Sequence, residues 1–362
     1  MHLLIITREW PGSVLGGISY HLKNLYIEVV DRGHEITVIS GVCPQSESTL
    51  SQKSPETVDT HLVQFGYRKA YYVFFPLALR NFLRSFDVSR FDACITHSGV
   101  PFELSIPVIS KRHDCYQETQ EFIRNGLSVY ELIGDYLMDP FRKIVDRRSI
   151  READHLIFNS NICRQAWERH YDFSTPSSIS YNGVDTDQFY PETDGLRHNQ
   201  EYILFVGNDE RKGLTRVIDF ANVTKQRVIA VGPLDLDSPH VECTGRVSQE
   251  ELRRLYSDAK VTIHPTGFEA FGNVILESIA CGTPVVTTDR CGAAEILNQN
   301  CCVVTDDIKQ GVRDAIQLDI RDCVRTAQNH TWSDAADDLI TVTESVVDRC
   351  KVRSSGGSNR VL

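Results

Sequence analysis

Short apolar runs alternate with longer amphipathic segments along this chain, and the alternation begins again at Tyr202. That pattern belongs to βαβ units around parallel sheets, whose strands are buried on both faces. In the first half, residues 3–6, 35–40, 93–96, 106–110 and 156–159 read as strands. Residues 17–31 read as a helix, closed by Gly33 where a left-handed residue is needed. In the second half, residues 202–206, 227–231, 260–264 and 284–287 read as strands, each followed by a helical segment. Residues 181–197, rich in Asn, Gly, Asp and Pro, read as the linker. With 362 residues the chain exceeds one ordinary core, so the expectation is α/β, with two Rossmann-like domains facing a cleft. Ligands of such sheets bind at the carboxyl ends of the strands.

Charge and cysteine usage exclude several classes. A net charge of −11 argues against a general nucleic-acid binder, which needs a broad basic surface. The 11 cysteines are odd in number and never spaced as CxxC, so reduced thiols in a cytoplasm are expected, most of them buried. Residues 1–6 have no basic flank and read as a first strand rather than a signal peptide. The longest apolar stretch, residues 70–79, is interrupted by Pro76 and cannot span a bilayer. The expected protein is soluble or peripheral at the inner face of the cell membrane.

The densest chemical signal is Gly267-Phe268-Glu269-Ala270-Phe271-Gly272-Asn273-Val274-Ile275-Leu276-Glu277. It follows an apolar run ending at His264-Pro265 and leads into a helix. Gly272 at the helix start lets backbone N–H groups approach an anion, where the helix dipole also favours negative charge. Glu277 lies over one turn inside the helix, placed to accept both hydroxyls of a ribose. Glu269, in the loop, is free for hydroxyls of a second ring. The competing reading is a pair of solvated surface acids.

The spacing from Glu269 to Glu277 resembles the E-x7-E motif of the retaining GT-B glycosyltransferases of family 4. Gly245-Arg246-Val247-Ser248 with Leu255-Tyr256 is similar to that family's base-binding strand and following helix. Cys281-Gly282-Thr283-Pro284, Gly292-Ala293-Ala294-Glu295 and Tyr181-Asn182-Gly183-Val184-Asp185 also resemble its segments, as do Gly16-Gly17 and Arg32-Gly33-His34-Glu35. The likeness implies an acceptor domain over residues 1–185 and a nucleotide-sugar domain over residues 186–330. It further implies a C-terminal helix, residues 331–350, crossing back to the first domain, before a disordered tail at 351–362.

Gly207-Asn208-Asp209-Glu210-Arg211-Lys212-Gly213 follows the first strand of the second half. A departing diphosphate gathers negative charge, and fixed cations stabilise it. Lys212 carries over from the family pattern; Arg211 stands in for the Arg whose usual place Asn208 takes. His113, after a strand, is implied to contact the transferred sugar or orient the attacking hydroxyl, with His97 competing for that role. The resulting assignment is His113, Glu269 and Lys212 as catalytic residues. Gly17, Arg211, Lys212, Arg246, Val247, Phe271, Gly272, Asn273 and Glu277 bind the donor. No metal and no cofactor are expected; the acceptor would attack the face that the diphosphate leaves, and the leaving phosphate would take its proton.

Residues 60–86 contain no Asp or Glu but hold Arg68, Lys69, Arg80 and Arg84 among eight Tyr and Phe residues. This pattern suits either an interfacial segment against anionic lipid, through residues 67–86, or a buried helix with a basic edge. The expected partners are a nucleotide-sugar donor, a uridine one before a guanosine one, and a lipid-linked or glycan acceptor. A nucleotide-sugar 2-epimerase and a non-catalytic nucleotide-sugar-binding subunit are the alternatives.

Overall fold

A computed structural model describes residues 1–11, 17–42, 58–66, 70–192 and 202–356. The first sheet holds β1 (His2–Thr7), β2 (Glu35–Val42), β3 (Asp59–Gln64), β4 (Ala93–Thr96), β5 (Val108–Arg112), β6 (His155–Phe158) and β7 (Ser177–Ile179). Its order is β3-β2-β1-β4-β5-β6-β7. The second sheet holds β8 (Tyr202–Val206), β9 (Arg227–Val231), β10 (Val241–Gly245), β11 (Thr262–His264), β12 (Val285–Thr287) and β13 (Cys302–Val304), ordered β10-β9-β8-β11-β12-β13. Every ladder is parallel. The chain is therefore α/β with two doubly wound sheets, as its apolar runs require.

The helices of the first half are α1 (Gly17–Asp31), α2 (Tyr71–Phe82), α3 (Tyr116–Asn125), α4 (Val129–Arg151) and α5 (Asn161–His170). Those of the second are α6 (Leu214–Thr224), α7 (Gln249–Asp258), α8 (Asn273–Ala280), α9 (Ile308–Ala315), α10 (Ile320–Ala327) and α11 (Trp332–Gly356). Burial on both sheet faces explains why β1 reads as a continuous apolar run: Leu3 to Thr7 are all buried. Gly33 closes α1 at φ +82°, its N–H bonded to the Val30 carbonyl at 2.8 Å. Strand β5 begins two residues later than the apolar run suggests. Pro107 has no N–H for the ladder, and only its carbonyl joins, accepting from Cys94 N at 2.8 Å.

In each sheet the strand order reverses beside the central strand, between β1 and β4 and between β8 and β11. The crevice beyond the carboxyl ends of these strands is where such folds hold ligands. Helix α11 fixes how the halves meet. Its Trp332, Ala335, Ala336, Leu339, Val346 and Val347 recur at helical spacing and are buried with Leu3, Ile5, Leu22 and Tyr26 of the first half. Arg32 of α1 reaches Asp337 at 2.5 Å and the Ser333 carbonyl and hydroxyl at 3.0 and 2.7 Å. The crossing back is thus built from both a packed face and a charged edge. The helix continues to Gly356, beyond the expected end at residue 350, so only residues 357–362 of the expected tail lie outside the described residues.

The chain passes between the halves twice, side by side. Val184 pairs with Thr331, and a Cβ on Gly183 would lie 2.1 Å from the Thr331 carbonyl carbon, so only glycine fits there. A third tie crosses the gap: Glu295 accepts from the backbone N–H groups of Asn161 and Ile162 at 2.8 and 2.7 Å. It also accepts from the Tyr181 hydroxyl at 3.1 Å. A carboxylate from one half thereby caps the first turn of α5 in the other.

Candidate active site

The turn after β8 is built to present two cations. The Asp209 side chain accepts from Lys212 N at 3.1 Å, capping a short 3₁₀ turn over Glu210–Lys212. Gly213 then takes φ +85°; a Cβ there would sit 2.2 Å from the Pro265 carbonyl oxygen. The Arg211 carbonyl accepts from Gly267 N at 2.8 Å and from the Thr266 hydroxyl at 2.7 Å. The cation turn and the loop after β11 are therefore locked together before any ligand arrives.

The Arg211 guanidinium lies 3.6 Å from Glu269 and 3.7 Å from Asp114, bridging carboxylates of the two halves. Burial pushes the Glu269 carboxyl up, but His264, Lys212 and Arg211 outweigh it and hold the group well below the usual carboxylate range. His264 is 3.7 Å away, too far for a hydrogen bond, and burial lowers its own pKa, so the two basic side chains carry that effect at neutral pH. Glu269 Oε2 has no hydrogen-bond partner among the described residues although it is buried. An ionised, buried and incompletely bonded carboxylate is poised to accept hydrogen bonds from ligand hydroxyls.

Gly272 opens α8 at φ +97°, leaving the first N–H groups of the helix facing the cleft. Asn273 is fixed from the linker, its Oδ1 accepting from Asn182 Nδ2 at 2.9 Å. Glu277, one turn on, accepts from the Tyr256 hydroxyl at 3.0 Å. Burial raises the Glu277 pKa against the pull of Tyr256 and Lys212.

The first half contributes a histidine chain. His113 Nε2 meets His97 Nδ1 at 2.7 Å, and His97 Nε2 meets the Tyr26 hydroxyl at 2.6 Å. Burial, then Lys111 and Arg112, drive the His113 pKa down to about 3, and His97 is lowered for the same kind of reason. Two neutral imidazoles must share one proton between them, so each tautomer fixes the next. The two histidines are partners: His113 faces the cleft and His97 stands behind it. Asp114, 45 % exposed on its side chain, has its pKa raised to about 6 by its depth in the cleft against the pull of Arg211.

These groups surround one interdomain cleft of about 570 Å³, within the range of small-molecule sites. His113, Glu269, Lys212, Arg211, Val247, Phe271, Gly272, Asn273 and Glu277 all line it. Arg246 is exposed and does not; only its neighbour Val247 does. Gly17 opens α1, whose Ile18 and His21 line the cleft, while Gly16 lies outside the described residues. Asn208 lines it without a charge. Two Asp-x-Asp triplets occur, at Asp185-Thr186-Asp187 and Asp235-Leu236-Asp237. Asp185 is spent on the N–H groups of Asp187 and Gln188, both at 3.0 Å. Among the described residues no three His, Cys, Asp or Glu side chains converge as a metal cage.

Residues 15–188 match Glycosyltransferase Family 4, and residues 200–321 match Glycosyl transferases group 1. The chain belongs to glycosyltransferase family 4. Among its relatives, alpha-maltose-1-phosphate synthase of Mycolicibacterium smegmatis is 27% identical, over 82% of each chain. The GPI3 subunit of phosphatidylinositol N-acetylglucosaminyltransferase from Saccharomyces cerevisiae is 22% identical over 92% of this chain and 79% of its own. Sucrose-phosphate synthase from Thermosynechococcus elongatus has the same fold, with a TM-score of 0.76 at 17% identity over 96% and 99% of the two chains. So has Anabaena HepE, solved with UDP and glucose, with a TM-score of 0.71 at 14% identity over 95% and 100%.

The glycosyltransferase brings residues to its cleft that no motif announces. His21 is fully buried, 4.6 Å ring to ring from His113 and 4.9 Å from Trp332 of α11. Asp114 and Asn159 arrive from the ends of neighbouring strands of the first sheet. Asn182, which belongs to the family-like linker segment, joins them. The sequence signal for Asp114 is its place immediately after His113 at the carboxyl end of β5. His21 carries none, because its environment is assembled from three distant segments.

Proposed function

We propose that this glycosyltransferase is a retaining, metal-independent enzyme that takes a UDP-sugar as donor and a lipid-linked or glycan acceptor. One observation carries the reading. The Arg211–Lys212 turn, the open N-terminus of α8 and the two carboxylates Glu269 and Glu277 all converge on a single cleft. Glu277, steadied by Tyr256, accepts the ribose hydroxyls. Lys212, Arg211 and the N–H groups after Gly272 receive the diphosphate and the charge it gathers as the glycosidic bond breaks. Glu269 accepts hydroxyls of the transferred sugar, and His113 positions the acceptor hydroxyl. That hydroxyl oxygen bonds to the anomeric carbon as the carbon–phosphate oxygen bond breaks, and the leaving phosphate oxygen takes the proton. The UDP complex of HepE and the cleft's uncharged wall at Val247 and Phe271 support a uridine donor. The phosphatidylinositol transferase among the relatives supports a lipid-linked acceptor. Incubating the metal-free enzyme with a panel of UDP-sugars and an acceptor extract tests the reading. A product with the donor's anomeric configuration supports it; an inverted product, or transfer only with added divalent metal, contradicts it.

A further inference from the structure

Helix α4 is turned inside out. Its Asp135, Asp139, Arg142 and Asp146 point into the protein, while Tyr130, Ile133, Tyr136, Leu137, Phe141 and Ile144 face solvent. Tyr130 is 89 % exposed and Leu137 68 %. A helix of a soluble domain does the reverse. The inner charges have a use. Asp135 binds Arg124 at 2.9 Å, Arg142 stacks on Tyr116 and Tyr72, and Asp146 accepts from Tyr171 at 2.8 Å. Arg142 and Asp146 also line a second cavity of about 310 Å³, roofed by α2, α3 and α4. That cavity shares Glu9, Ile18, His113 and Asp114 with the donor cleft. The outer apolar stripe therefore lies directly over the chamber that opens onto the reacting site.

The stripe is basic at its C-terminal end, while its first turn carries the exposed Glu131. Arg147 and Arg148 continue the exposed side of α4 beyond Ile144. On α2, which packs beside α4, exposed Phe74 and Leu77 are followed by exposed Arg80 and, just past the helix end, exposed Arg84. Within a chain of net charge −11, four exposed arginines accompany the apolar faces of these two helices. A second copy seated there would set arginines against arginines, whereas an anionic lipid surface satisfies both the apolar stripe and its charge. We propose that the outer faces of α4 and α2 dock this protein on an anionic bilayer, with an amphiphilic acceptor entering the cavity beneath them. The docking stands on this surface alone; only the identity of the incoming molecule rests on the transferase reading. Of the aromatic residues in the basic segment named from sequence, Tyr72 and Phe75 are buried, Phe74 is exposed, and residues 67–69 lie outside the described residues. The larger apolar face belongs to α4.

The test is cosedimentation of the full chain with phosphatidylcholine vesicles, with and without phosphatidylglycerol. It compares wild type, the triple variant Leu137→Ser, Phe141→Ser, Ile144→Ser, and the pair Arg147→Glu, Arg148→Glu. Wild type is expected to pellet with the anionic vesicles, and the arginine pair to partition at least ~30-fold more weakly, at about 1 kcal/mol per arginine. The triple variant is expected to stay in the supernatant. All substituted side chains are exposed, and UDP calorimetry on each variant confirms a folded donor site. Wild type that stays in the supernatant, or variants that pellet as it does, overturns the docking while leaving UDP binding, and so the transferase reading, intact. A wild-type dimer in sedimentation velocity that the triple variant dissolves, without vesicle binding, overturns it in favour of a second copy.

Discussion

Asp114 is predicted to take up a proton when the donor binds. Its carboxylate is 3.7 Å from the guanidinium of Arg211, the cation proposed to meet the diphosphate. A phosphate charge about 5 Å from a carboxylate costs roughly 3 kcal/mol at an effective dielectric of about 20. Asp114 is 45 % exposed on its side chain, so solvent and ions screen most of that. What remains is about one pKa unit, which lifts Asp114 from about 6 towards roughly 7. At about pH 6.5 its protonated fraction then rises from roughly a quarter to roughly three quarters, an uptake of about half a proton. Calorimetric titration with UDP-glucose, in buffers of contrasting ionisation enthalpy, reads this number as a slope. The diphosphate of that ligand has no titrating proton near this pH, and His113, at about 3, stays neutral throughout. Asp114→Asn should abolish the slope and tighten donor binding above pH 7. A wild-type slope of zero, or an unchanged slope in the variant, refutes the reasoning.

Two further outcomes concern stability. Burial holds the His21 pKa well below its usual value, so the native state binds fewer protons than the unfolded chain below about pH 6.5. Its contribution is full above that pH and is lost progressively as the pH falls below it. Urea unfolding of His21→Phe should show a correspondingly flatter acid limb; an acid limb as steep as wild type contradicts the assignment. Glu295→Ala removes the cap that joins the halves at Asn161 and Ile162 and should cost about 2 kcal/mol, read as a lower urea midpoint. A loss under ~0.5 kcal/mol would mean that this tie does not hold the halves together.

How much of this was legible beforehand follows burial. The central strands β1, β4, β8 and β9 are apolar runs because both their faces are covered, and their positions are plain in the sequence. The strands without such a run are the four at the sheet edges. In β3 only Val63 is buried, β7 has no buried residue, and β10 and β13 are each buried at their first residue alone. An edge strand covers less apolar surface, so its pattern thins out; β10 was anticipated only at Gly245, through the family likeness. At the site, the glycines and acids of the loop after β11 were legible because a tight turn and a helix start demand particular residues. Gly272 does take positive φ there, as Gly213 does in the turn after β8. The pairing of His113 with His97, the bridge from Asp114 to Arg211 and the inverted face of α4 were not. Each depends on which segments meet in space, and periodicity alone does not say which face of a helix turns inward.

The central claim is a nucleotide-diphosphate site centred on Glu277, and calorimetry of UDP and GDP with metal-free wild type and Glu277→Gln tests it most directly. The expected result is UDP binding by wild type, with little for GDP, weakened by about 10- to 100-fold in the variant as one charged hydrogen-bonding group is lost. UDP binding that is unchanged in Glu277→Gln, or no nucleotide binding by folded wild-type protein, would contradict it.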